Sequence, residues 1–292
     1  MNMKKYKKFF LTIILGVLCV YISNCSNDVE QGKFVALNMG NNKTAYSTDG
    51  VNWTVGDLPS SMAGRIICYG NGKFVAIDKD TTDKAAYSTD GINWTGTTNL
   101  PTPRNWQSVC YGNGKFVAVA APSAAIAYSL DGIHWDETTT FLNSRYWVSV
   151  CYGKGRFIAI ADNSNTVAYS LDGITWTEII TLPIATGNDW TKVCYGGGKF
   201  VAIAGDISRE IAAYSSDGIH WTPTTLPEDG SWREVCYGNG KFIAIAAGSD
   251  NAATAAYSTD GINWYPMQMP NVGFINWRAI TYGLDDDIFG FL

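Results

Sequence analysis

Nine residues recur six times and leave the rest of the chain little freedom. Ala45-Tyr46-Ser47-Thr48-Asp49-Gly50-Val51-Asn52-Trp53 returns as Ala86 to Trp94, Ala127 to Trp135, Ala168 to Trp176, Ala213 to Trp221 and Ala256 to Trp264, always in the form Ala-Tyr-Ser-x-Asp-Gly-(Val/Ile)-x-Trp. An Asp-Gly pair between two β-prone runs predicts a two-residue type I′ hairpin, because both central positions of that turn need φ > 0. With Asp49 and Gly50 in those positions, Tyr46 would face Trp53. Such a cross-strand pair is worth roughly 0.2–1 kcal/mol relative to alanine.

A second motif sets the period. Gly-(Lys/Arg)-Phe starts at Gly32, Gly72, Gly114, Gly155, Gly198 and Gly240, at intervals of 40, 42, 41, 43 and 42 residues. Short strands repeating every forty-odd residues predict an all-β, six-bladed β-propeller with four antiparallel strands per blade. In the third unit the strands fall at Asn105–Tyr111, Lys115–Ala120, Ile126–Ser129 and His134–Thr138, with Asn113-Gly114 as a tight turn between the first two. The first unit lacks a first strand, and the last is followed by Trp277–Tyr282, a first strand without the rest. Pairing that C-terminal strand beside Lys33–Leu37 would close the ring and leave no free edge. The tail, Leu284–Leu292, falls outside this scheme.

The first 25 residues read as a leader. Lys4, Lys5, Lys7 and Lys8 precede an apolar run from Phe9 to Ile22, which is too short to span a bilayer. The run ends in Ile22-Ser23-Asn24-Cys25, which resembles the lipobox of bacterial lipoproteins, with Asn24 where Gly or Ala is usual. That resemblance implies lipidation of Cys25 and a membrane-anchored location in the cell envelope. Residues 26–292 are then the propeller. Removing the four leader lysines leaves 17 basic against 26 acidic residues, a charge of −9. That balance argues against nucleic acid, whose binding rests on neutralising phosphates.

Seven cysteines in an exported chain suggest disulfides, but Cys68, Cys110, Cys151, Cys194 and Cys236 share one repeat position, with Thr281 in the sixth copy. They read as small packing residues. The Ser, Asp, Gly and Trp of each nine-residue motif, such as Ser88, Asp90, Gly91 and Trp94, resemble the Asp-box of bacterial neuraminidase repeats. Here Gly follows Asp directly, one residue early. The resemblance implies a propeller with structural carboxylates at Asp49, Asp90, Asp131, Asp172, Asp217 and Asp260. It implies no single activity, since function resides in sites placed on a fold.

Both types of tight turn fall on one face of the predicted ring, and the variable connections fall on the other, where binding usually sits. Those connections lead to Trp106, Trp147, Trp190, Trp232 and Trp277, with Gly64 in the second unit, and Arg65, Arg233 and Arg278 follow this position. Indoles beside arginines suit a glycan or a peptide. The competing reading is that the indoles wedge the blades apart. A sialidase-like hydrolase would need an arginine cluster and a separated acid pair, and neither stands apart from the repeat. The expectation is a monomeric, non-enzymatic binding or scaffold module for a glycan or protein ligand, with no metal or cofactor. His134 and His220 share a turn position, and Asp78, Asp80 and Asp83 read as a solvated loop rather than a Ca²⁺ site.

Overall fold

The computed structural model of the chain describes residues 34–37, 42–47, 54–59, 62, 64–78, 83–97, 100–123, 126–138, 143–183, 190–205, 210–228, 230–238, 240–247 and 254–268. Every described element is a β-strand, and the strands form six antiparallel sheets in chain order. The first holds β1 (Phe34–Leu37), β2 (Lys43–Ser47) and β3 (Thr54–Asp57). The second holds β4 (Gly64–Gly70), β5 (Lys73–Asp78), β6 (Ala85–Ser88) and β7 (Thr95–Gly96). The third holds β8 (Trp106–Gly112), β9 (Lys115–Ala120), β10 (Ile126–Ser129) and β11 (Asp136–Glu137). β12 (Tyr146–Gly153), β13 (Arg156–Asp162), β14 (Thr166–Ser170) and β15 (Thr177–Ile180) make the fourth. β16 (Trp190–Gly196), β17 (Lys199–Ala204), β18 (Ile211–Ser215) and β19 (Thr222–Thr225) make the fifth. The sixth is β20 (Ser231–Gly238), β21 (Lys241–Ala247), β22 (Thr254–Ser258) and β23 (Tyr265–Gln268). Each sheet is a simple meander. The expected closing strand at 277–282, the leader with Cys25, the loop of Asp49 and the tail 284–292 lie outside the described residues.

The turns between first and second strands follow the sequence reading. Asn113 and Gly114 have φ of 46° and 72°, left-handed at both central positions as a type I′ turn requires. The Asp-Gly turns do not. Of the Asp131-Gly132 pair in the third sheet only Gly132 is left-handed, and the connection runs through residues 130–135. Tyr128 therefore faces Asp136 rather than Trp135, and the fourth strand starts later than His134. The physical reason is that the Ser and Asp side chains supply the bonds that close the loop. Released from pairing, Trp135 turns inward to sit 6.5 Å from the ring of Phe116.

Inner strands β4, β8, β12, β16 and β20 lie side by side, so each sheet stacks on the next. The Cys-Tyr-Gly at the end of each forms the joint. A Cβ on Gly70, Gly112, Gly153 or Gly196 would come within 2.0, 2.0, 2.1 or 1.9 Å of the next sheet's tyrosine ring. Hydrogen bonds reinforce the contact. Ser108 Oγ accepts from the Val150 N–H, and Ser149 Oγ from the Val193 N–H, each at 3.2 Å. Second strands are buried on both sides, with Phe116 to Ala120 all at 0% exposure, which is why their sequence does not alternate.

Candidate functional site

Trp106, Trp147, Trp190 and Trp232 begin the inner strands as expected, but they form no surface. Each is at most 1% exposed. Trp147 packs among Cys110, Val117 and Val119 of the third sheet and Val150 and Phe157 of the fourth. These four expected ligand residues are wedges between sheets, and the ligand reading is corrected. The cause is a β-bulge directly after each tryptophan, at 106/108, 147/149, 190/192 and 232/234. One extra residue moves the indole onto the side of the strand that carries Val109, Val150, Val193 or Val235, facing the preceding sheet. The arginine half of the expected set fares differently. Arg233 is the bulged residue of β20 and is exposed. The Arg65 side chain, Trp277 and Arg278 lie outside the described residues.

The Asp-Gly loops are closed by their own side chains. Asp90 Oδ1 accepts the N–H groups of Ile92 and Asn93 at 2.8 Å, and Oδ2 accepts the Asn93 amide at 2.8 Å. Ser88 donates to Asp90 and accepts the Gly91 N–H, each at 2.8 Å. Asp131, Asp172, Asp217 and Asp260 repeat this network. His134 and His220 take the Asn93 place, with Nδ1 at 2.7 and 2.8 Å from Asp131 and Asp217. Partial burial alone would raise the Asp90 carboxyl. The backbone N–H groups of Asn93 and Ile92, with the Asn93 amide and Ser88 hydroxyl, outweigh it and hold the group well below the usual carboxylate range. A carboxyl lowered on folding contributes stability above its unfolded pKa, about 4, and loses it as pH falls toward the folded value. The melting temperature should therefore fall steeply below about pH 4, and less steeply in Asp172→Asn, as thermal melts between neutral and acid pH would read.

The position two residues before the repeat cysteine varies between sheets and carries charge in two of them. Aligned on Cys-Tyr-Gly, it reads Ile66, Ser108, Ser149, Lys192 and Glu234. Lys192 Nζ lies 3.1 Å from Glu234 Oε2, joining the fifth sheet to the sixth, with side chains 31% and 11% exposed. Burial pushes the Glu234 carboxyl up, and the Lys192 charge, its hydrogen bond and the Val235 N–H oppose that rise. The hydroxyl of Thr191, the bulged residue beside Lys192, lies 3.2 Å from the carbonyls of both Ile203 and Trp232, which share its one proton. The thiols of Cys151, Cys194 and Cys236 are near enough to feel the Lys192 charge, yet burial keeps all three raised. The described repeat cysteines are free. Raised thiols are poor nucleophiles, which fits packing residues.

The sheets match solved structures. Virginiamycin B lyase from Staphylococcus aureus superposes with a TM-score of 0.70 at 15% identity, covering 86% of this chain and 84% of that one. An inactive variant of that lyase with quinupristin reaches 0.75 at 12% identity, over 94% and 92%. YCF48 bound to D1 peptide gives 0.59 at 15% identity, over 81% and 79%. The chain is a β-propeller repeat protein. Neither a protein-family model nor a curated protein matches it.

In this propeller the tryptophan bulges and the Lys192–Glu234 pair lie toward the face that carries the blade-to-blade connections. Two arginine braces, not anticipated from the sequence, hold those connections. Arg104 Nη2 lies 2.6 Å from Glu137 on the outer strand of the third blade. Arg145 Nε lies 3.3 Å from Glu178 on that of the fourth, and the Asn143 amide adds a bond of 2.9 Å to the same carboxylate. Asp78 and Asp83 are described and Asp80 is not; among the described residues no group of three His, Cys, Asp or Glu is placed to hold a metal ion. Lys192 and Glu234 had a sequence signal. Superimposing the six copies in register shows theirs as a position that changes just before the residues that stay Val/Ile, Cys (Thr281 in the sixth copy), Tyr and Gly.

Proposed function

We propose that this propeller is an exported, lipid-anchored, non-enzymatic binding module, and that it takes a peptide segment of another envelope protein on its connection face. The observation that carries this reading is the Lys192–Glu234 pair. A mostly buried ion pair costs desolvation that a serine or an apolar residue at the same place avoids, as Ser108, Ser149 and Ile66 do. Fold alone gives no reason to place charge there. A peptide presents backbone donors and acceptors and charged side chains, which suit a lysine paired with a glutamate near the start of the inner strands. The YCF48 complex shows that another propeller of this shape holds a peptide. The lyase likeness, at 12–15% identity, concerns the fold. A sialidase-like hydrolase is less favoured, because each described Asp-Gly loop carboxylate is taken up by its own loop. We read those loops as a shortened Asp-box.

Replacing both partners removes the charge without stranding one member of a buried pair. Lys192→Ser/Glu234→Ser restores the residue of the third and fourth blades and should fold like the parent. Peptide and glycan arrays probed with both proteins are the test. Expected are peptide signals that fall at least about tenfold in the double variant at an unchanged melting temperature, a difference of about 1.4 kcal/mol. Equal signals would move the site elsewhere, glycan-only signals would change the ligand class, and turnover of an arrayed compound would end the non-enzymatic reading. The anchor has its own test. Cys25→Ala should shift the protein from the membrane fraction to the soluble one, and unchanged fractionation refutes lipidation.

A further inference from the structure

We infer that the face opposite the proposed peptide site, made of the tight turns and Asp-Gly loops, rests on a lipid bilayer. This rests on the lipid-anchor reading for its orientation and on the structure for its surface. β1 begins at Phe34, which pairs with Ser47 as Phe116 pairs with Ser129. In every other sheet that residue is the second after the tight turn, so the chain enters β1 from the turn face. Cys25 is nine positions earlier, a reach of about 30 Å at full extension. A lipid on Cys25 therefore tethers the turn face to the membrane and leaves the connection face pointing away.

The surface suits that placement. The position between Ser and Asp of each loop is solvent-exposed in all five described copies. Three carry Thr89, Ser216 and Thr259, but the adjacent third and fourth blades carry Leu130 and Leu171, each 61% exposed. A bond of 3.1 Å from the Asn113 amide to the Leu171 carbonyl fixes the third blade's turn against the fourth blade's loop. On the same face, the second strands of the second to sixth sheets begin with Lys73, Lys115, Arg156, Lys199 and Lys241, one per blade, with the Arg156 Nε buried and Lys241 Nζ 5.3 Å from the centre of the Tyr257 ring. The loop aspartates share this face as ionised groups held on their own loops' N–H groups, so Asp90, Asp131, Asp172, Asp217 and Asp260 balance the basic residues in charge. Two exposed leucines at the anchored end, on a face whose acids and bases balance, fit the acyl-chain boundary of a bilayer. A protein partner of matching shape would have no reason to lie at the anchored end.

The test uses the full lipidated chain in vesicles containing anionic lipid, with an environment-sensitive fluorophore on Leu171→Cys or on Ile180→Cys. Ile180 is 70% exposed at the connection-face end of β15 and serves as the distal control. Wild type labelled in parallel gives the blank for the native thiols. Quenchers in the acyl chains should dim the 171 probe at least about twofold more than the 180 probe. Equal quenching, or more at 180, overturns the inference. So does self-association of the Cys25→Ala chain that Leu130→Ser/Leu171→Ser abolishes, because the leucines would then join two copies. If Cys25→Ala stays with membranes, lipidation fails as an explanation while the probe comparison still judges the face.

Discussion

Replacing Trp147 by alanine should destabilise the protein by about 3–5 kcal/mol, among the largest losses a single truncation can give. The indole is 0% exposed and fills the space between the third and fourth blades. Its Nε1 has no hydrogen-bond partner, as is also true of Trp190 and Trp232. The loss is therefore one of packing and cavity formation. At about 2–4 °C per kcal/mol for a chain of this size, the melting temperature should drop by roughly 10 °C. Trp147→Phe keeps most of the volume and forfeits no hydrogen bond, so it should cost less than about 1.5 kcal/mol. Urea unfolding of the three proteins separates these cases. If the alanine variant proves as stable as wild type, the buried-wedge assignment is wrong and the indole returns as a candidate ligand residue.

The second large effect is expected at a glycine. Gly153→Ala places a methyl carbon 2.1 Å from Cγ of Tyr195, where real contacts stay beyond 3 Å. The ring belongs to the next blade's inner strand, so relief requires two blades to separate. A loss at the upper end of the 1–3 kcal/mol usual for overpacking, or beyond it, is expected. Gly155→Ala, two residues on, is the contrast. That position has a φ of 76° and nothing within 4 Å of its Cβ, so its cost is backbone strain alone, about 1 kcal/mol. Equilibrium unfolding should rank 153 well above 155. Equal losses would mean that the Tyr195 ring yields easily and that the blade joint is loose.

The contrast marks what a linear reading can see. Gly155 is legible as a turn residue, because Lys154-Gly155 stands where Asn113-Gly114 stands one repeat earlier, and turn geometry is local. Gly153 is not, because its constraint is a ring one repeat away. The Asp-Gly motif misled for a related reason. Its dipeptide fits a two-residue hairpin, but the Ser and Asp side chains compete for the same N–H groups and win.

What the sequence determined by itself is the repeat: its period, its strands per unit, its Asn-Gly turns and the burial of its second strands. These follow from hydrophobic pattern and turn chemistry within a few residues, and six copies average out local ambiguity. Whether an indole entering an inner strand faces a ligand or a neighbour was open, since an amphipathic ring suits both. A one-residue bulge decided it, by moving Trp106, Trp147, Trp190 and Trp232 to the opposite side of their strands. The Lys192–Glu234 contact likewise exists only because stacking places neighbouring inner strands side by side. Contacts between repeats depend on how the sheets pack, and no pattern confined to one repeat encodes that.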